Sequence, residues 1–211
     1  MIRIPKWARA SKKYLIHFDA IALAHEVIQG DNPIDHLHHQ LEETIIATVA
    51  LQQPMAHDLR RLVAALLITN ELERMGDYAE GIGRTVLRRG EKSEIEIPLW
   101  VSEMRIRVSQ MIDDAMEAYL EEDPTKARKV AEIDDELDKN YQDLFNMIVA
   151  KMGMGDLAID QGTYILWAGH NLERIGDRVT NICERIVYTR TGEIGGLNPK
   201  KADESAGNRA I

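Results

Sequence analysis

Cysteine is almost missing from this chain. Cys183 is the single one in 211 residues, so no intrachain disulfide can form and a reducing compartment is expected. Aromatic residues make up only 5%, which argues against the base-stacking surfaces of single-strand binders. Positive charge is scarce too. Lys and Arg number 26 against 35 Asp and Glu, a formal net charge of -9, and this argues against general nucleic-acid binding. The longest wholly apolar run, residues 62–68, falls far short of the roughly 20 residues of a membrane span. The basic positions Arg3, Lys6, Arg9, Lys12 and Lys13 lead into no secretory apolar segment, so a cytoplasmic protein is expected. Sustained alternation and Asn-Gly or Asp-Gly turns are also lacking, and with them the signs of β-strands.

What is present reads as helix nearly throughout. Pro54, Pro98 and Pro124 stand where helices begin, the last with Asp123 placed to cap the helix N-terminus. Gly153 and Gly155 stop one helix and Asp156 is placed to cap the next. The pattern predicts a short helix near 6–17 and helices over 19–52 and 55–89. A linker at 90–97 follows, then helices over 98–121, 123–151 and 156–190, and a flexible tail at 191–211. Gly30 and Pro33 interrupt the second helix, where a kink or break is expected with Asn32 capping a restart. Apolar residues recur at three and four along Ile68, Leu72, Met75, Ala79, Ile82 and Val86. The stripe Leu172, Ile175, Val179, Ile182 and Ile186 has the same spacing, as does Ile133, Leu137, Tyr141, Leu144 and Ile148. Two groups of helices joined by the linker would bury these stripes: an all-α protein with units at 1–89 and 98–190.

The two units are written in related words. Residues 72–82 and 172–182 share six of eleven residues, including Leu-Glu-Arg-x-Gly-Asp in both. Upstream, Asp31 and Asp35 echo Asp134 and Asp138. Each half therefore holds one acidic pair on a middle helix and one on its last, as a tandem duplication would produce. Glu73 and Asp77, like Glu173 and Asp177, are four apart and share a helix face, where two like charges cost roughly 0.2–0.5 kcal/mol. Something cationic is expected between them. Arg74 and Arg174, three before Asp77 and Asp177, could supply it; so could a metal ion. Oxygen donors suit hard cations, ferric iron, manganese or magnesium, better than zinc. Gly76 and Gly176 cost roughly 1 kcal/mol each in a helix interior, which points to a close helix crossing or to access beside the carboxylates.

The stretches "QPMAHDLRRLVAALLITNELERMGDYAEGI" and "GHNLERIGDRVTNICERIVYTRTGE", with "VIQGD" before them, resemble the PhoU family of phosphate-transport regulators over roughly residues 19–192. The resemblance implies two pseudo-symmetric three-helix bundles. It also implies metal on the E/D-x-x-x-D motifs: Glu73, Asp77, Glu173 and Asp177 first, then Asp134, Asp138, Asp31 and Asp35. Iron is the leading candidate there, with zinc, manganese and magnesium behind it. Asp58 and Arg60 fit the family's Asp-Leu-Arg motif. The chain departs from the pattern in two places. Too few residues precede position 19 for a full first helix, so the first bundle has a short or missing first helix, or is completed by another chain. The Gly30–Pro33 interruption breaks the face shared by Asp31 and Asp35, so the second half is expected to bind a cation better than the first.

Smaller signals are also present. His38 and His39 follow Asp35 by three and four, a spacing that suits either a metal or a solvated face. His57 beside Asp58 reads as a helix start, His170 faces the same way as Glu173, and Cys183 is core filler. No nucleotide loop and no nucleophile–base arrangement is present in the motifs. No Glu-x-x-His occurs, which argues against a di-iron carboxylate enzyme; a metal store or scaffold is the remaining alternative. The resemblance implies a regulatory adaptor, not an enzyme, coupling the phosphate ABC transporter to a sensor histidine kinase. It also implies a homo-oligomer that binds no nucleic acid and meets the membrane only through partners.

Overall fold

The computed structural model describes residues 18–90, 97–192 and 196–197, leaving aside the side chains of Phe18 and Asp19. Among these residues the protein is all-α, with helices α1 (Phe18–Gln52), α2 (Ala56–Arg89), α3 (Leu99–Glu121), α4 (Pro124–Glu132), α5 (Asp134–Met154) and α6 (Ile159–Thr191). The expected helix near 6–17, the linker residues 91–96 and most of the expected tail lie outside the described residues. Within the tail, Leu197 packs on the core and its backbone N–H donates to Glu184 Oε1 at 3.2 Å.

Local chemistry sets the boundaries. Asp123 caps α4 by accepting from the Thr125 and Lys126 backbone N–H groups, with Pro124 in the first turn. Gly155 ends α5 at φ 79° and Gly192 ends α6 at φ 75°, the left-handed conformation that glycine takes without steric cost. Two expectations are corrected. The helix over 19–52 does not break: α1 runs through Gly30 and Pro33. Gly30, Asn32 and Pro33 all lie on its exposed side, so the backbone groups released by proline face water, while the opposite side keeps its packing. The helix expected over 123–151 is interrupted. Ile133 stands between α4 and α5 at φ -69°, ψ -23°, its N–H bonding three residues back to Val130, which tightens the turn and sets Asp134 at the head of α5.

The long helices α2 and α6 are the spine. α1 packs on α2, α2 on α6, and α3, α4 and α5 on α6. Glu71 of α2 accepts from Arg178 Nη1 at 3.2 Å and Asn181 Nδ2 at 3.1 Å on α6. Ten residues on, Gly81 lies against Asn171. As α2 ascends α6 descends, so the pair is antiparallel, and a pseudo-twofold runs between Gly76 and Gly176. Those glycines fix the register within each unit. A Cβ on Gly76 would stand 2.7 Å from Asp31 Oδ1 and 3.3 Å from Ile34 Cδ1. A Cβ on Gly176 would collide with Leu137 Cδ2 and stand 3.3 Å from Asp134 Oδ1. Asp31 thus corresponds to Asp134 and Ile34 to Leu137, each acid seated over the glycine of the repeated motif.

The halves differ in how well they are filled. In the second, α3 contributes Met104, Val108 and Met111, all fully buried against Leu137, Leu144, Ile175 and Val179. In the first, no third helix lies among the described residues. Leu59, Val63 and Leu67 form an i, i+4, i+8 stripe on α2 that is 37–38% exposed, and Leu37 and Leu41 on α1 are 46–58% exposed.

Two glycine variants test the packing. Gly176→Ala should lower stability by up to about 2 kcal/mol, since overpacking costs about 1–3 kcal/mol and the gain in helix propensity returns about 1 kcal/mol. Gly30→Ala, with nothing within 4 Å of the new methyl, should raise stability by about 0.5–1 kcal/mol. Urea unfolding measures both, and a Gly176→Ala protein as stable as the wild type would show that the crossing has room.

Candidate functional site

Each unit gathers its acids where α1 crosses α2 or α5 crosses α6. In the second unit Asp134 is fully buried at the head of α5, Asp138 follows one turn later, and Asp177 reaches them from α6. One carboxylate oxygen from each lies within 4.8 Å of the other two. Three oxygen donors gathered there are of the type that a hard cation takes. Glu173 is handled differently. Arg174 Nε lies 3.1 Å from Glu173 Oε2 and its Nη1 lies 3.1 Å from Asp177 Oδ2. One guanidinium therefore bridges the acidic pair of α6, both carboxylates being only 12% exposed. His170 Nδ1 stands 3.6 Å from the same Glu173 oxygen. Burial and the Arg174 charge hold that imidazole below its usual pKa, against a smaller opposing pull from Asp177. Tyr141 closes this end, its phenol pushed up by burial and by Glu173.

The first unit repeats the acids without the clamp. Among the described residues no ion pair within 4.0 Å joins Arg74 to Glu73 or Asp77. Asp31 Oδ1 is buried with no hydrogen-bond partner. Burial, then the charges of Asp35, Glu80, Asp77 and Glu73, push Asp31 from 3.8 up to about 6. Glu73 is also raised, by burial and then by Asp77 and Asp35, with His38 and Arg74 opposing. The four predicted acids, Asp31, Asp35, Glu73 and Asp77, are thus close enough to feel one another. Glu80 belongs with them, although its own nearest cation is Arg84 at 2.6 Å. With α1 unbroken, the reason for ranking the second site above the first disappears.

The repeated acid-over-glycine crossing can now be set beside known proteins. The family model for the PhoU domain matches residues 8–86 and again 101–186. The chain belongs to the PhoU family. Among relatives named phosphate-specific transport system accessory protein PhoU homolog, that of Clostridium acetobutylicum is 35% identical over 177 residues, 83% of this chain and 81% of that protein. That of Caulobacter vibrioides is 39% identical over 173 residues, 81% and 75% of the two chains. The crystal structure of PhoU from Pseudomonas aeruginosa superposes with a TM-score of 0.82 at 29% identity, covering 89% of this chain and 90% of that one. The phosphate transport system regulatory protein PhoU from Streptococcus pneumoniae superposes with a TM-score of 0.77 at 31% identity, covering 83% and 82%.

Within this PhoU fold, sequence reasoning placed all eight acids correctly by helix, and anticipated arginine or metal between them. The arginine is there in the second unit, where Arg174 spans Glu173 and Asp177; missed were the contribution of Glu80 and the approach of His38 to Glu73. The last two depend on which turns of α1 and α2 lie side by side. The only signal was the register of the second repeat, where Tyr141 beside Glu173 occupies the equivalent place.

The raised Asp31 has a consequence with a definite sign. Its folded-state pKa of about 6 exceeds its ordinary 3.8, so the folded protein holds a proton that the unfolded chain releases. The stability from this group is full below about 3.8 and is lost as pH rises through about 6. In chelator-treated protein, Asp31→Asn should raise the melting temperature relative to wild type above about pH 6 and give no advantage near pH 4. Melting curves that stay parallel across that window would show that Asp31 is not the titrating group.

Proposed function

We propose that this protein regulates phosphate uptake, acting as an adaptor between a phosphate ABC transporter and a sensor histidine kinase. By this reading it damps uptake and the starvation response when phosphate is sufficient. The observation that carries the reading is PhoU-family membership over both repeats, with relatives named as accessory and regulatory proteins of phosphate transport. A cytoplasmic adaptor that meets the membrane through partners also fits the described helices, none of which is long and apolar enough to cross it. The carboxylates would serve this role by holding a hard cation, iron first and manganese, magnesium or zinc after it. What supports this is the donor chemistry: three convergent oxygens in the second unit and a buried, unbonded Asp31 oxygen in the first. A bound cation would neutralise each cluster and favour the folded state by mass action. Deleting the gene should raise phosphate uptake and starvation-gene expression in phosphate-rich medium, and the wild-type copy should restore repression. A copy carrying Asp134→Asn and Asp138→Asn keeps shape and the Arg174 bridge but loses two donors, and should fail to restore it at equal protein level. Unchanged expression in the deletion strain overturns the regulator; full repression by the double variant separates metal from regulation.

The apolar stripes of α1 and α2 also need a cover, and we propose a second copy of the chain. Exposed apolar faces of this kind mark association surfaces. Light scattering at micromolar concentration should give a dimer or larger assembly, and Val63→Glu should shift it toward monomer. A wild-type monomer under those conditions rules the assembly out.

A further inference from the structure

One cluster of metal-ligating side chains lies outside the duplicated acidic motifs. His38, His39 and Glu42, all on α1, place one ligand atom each within 4.8 Å of the other two. Neighbouring residues on a helix normally diverge by about 100°. Here the two imidazoles lean together, with ring centroids 5.5 Å apart and planes tilted by 48°. His39 Nδ1 stands 3.9 Å from Glu42 Oε2. His38 Nδ1 is buried and has no hydrogen-bond partner, an uncommon condition for an imidazole nitrogen, which otherwise finds a donor or acceptor.

The register fixed by the glycine crossings shows that this cluster is not part of the repeat. The equivalent positions in the second unit are Tyr141, Gln142 and Phe145, which offer no comparable ligand set. The surroundings favour a cation. His38 lies near enough to Glu73 to act on its charge, and Glu73 belongs to the unclamped acidic cluster of the first unit. We propose that His38, His39 and Glu42 form a separate site for a borderline divalent cation of the zinc class. Two imidazoles and one carboxylate are a donor set that zinc prefers and hard cations do not. Tetrahedral zinc needs its ligand atoms roughly 3.3 Å apart, from bond lengths near 2.0–2.1 Å. The ligand atoms, within 4.8 Å of one another, would have to draw together to reach that spacing, and His39 is the most exposed of the three. Three protein ligands leave a fourth position for water or for a group on a partner.

The test uses full-length, tag-free protein stripped with chelator. Zinc titrated against a chromophoric chelator should show an equivalent whose X-ray absorption contains imidazole scattering. His39→Ala, at a side chain that is 71% exposed, should keep the helical circular dichroism and weaken that equivalent at least about tenfold. Glu42→Gln should weaken it as well, and Asp134→Asn with Asp138→Asn should leave it unchanged. Zinc bound with oxygen scattering alone, binding unaffected by His39→Ala and Glu42→Gln, or loss of the equivalent in the Asp134/Asp138 variant would each overturn the site.

Discussion

Where α1 crosses α2 and α5 crosses α6, any side chain larger than hydrogen would force a neighbour to shift. Asp31 and Ile34 occupy the space a Cβ on Gly76 would fill, and Leu137 and Asp134 do so at Gly176. The placement of the acids follows from that one steric fact. Because the helices touch through a bare glycine, a carboxylate from the neighbouring helix reaches a spot otherwise screened by side chain. It is held there among Glu73 and Asp77, or beside Asp177. A larger residue would push on Asp31 or Leu137 and displace the acid from that spot.

The duplicated motif has reached two electrostatic solutions. In the second unit Arg174 pairs with both acids of its own helix, and Asp177, while held by that guanidinium, also closes a compact trio with Asp134 and Asp138. In the first, the same Leu-Glu-Arg-x-Gly-Asp leaves the acids without that clamp, and burial first, then their mutual repulsion, raises the pKa of Asp31 and Glu73. Identical words therefore do not imply identical sites. What differs is the environment each helix meets, with a phenol at Tyr141 in one unit and an imidazole at His38 in the other.

Much of this was legible in the sequence, for reasons that can be traced to particular residues. The stripe Leu172, Ile175, Val179, Ile182 and Ile186 is wholly buried or nearly so, because a 3.6-residue period has one way to hide its apolar side. Asp123 and Pro124 marked a helix start because both act locally. The continuity of α1 was not legible, since proline is tolerated only when its lost hydrogen bond faces water, and that depends on packing elsewhere. Nor was the break at Ile133, which carries no glycine or proline to announce it. At the acidic sites, spacing along one helix disclosed Glu73 with Asp77 and Glu173 with Asp177. Electrostatic coupling between helices, such as that of Glu80 to Asp31, depends on a register that no single helix encodes.

Glu71 reaches across to Arg178 and Asn181, and Ile68 and Met75 of α2 belong to the same buried cluster as Ile175 and Val179 of α6. The consequence concerns divisibility. A unit that stands alone closes its own core. With Ile68 and Met75 of the first unit inside the core of the second, neither half does so. Severing the chain at the linker would now yield fragments with raw apolar flanks, so an internal copy has become an inseparable half.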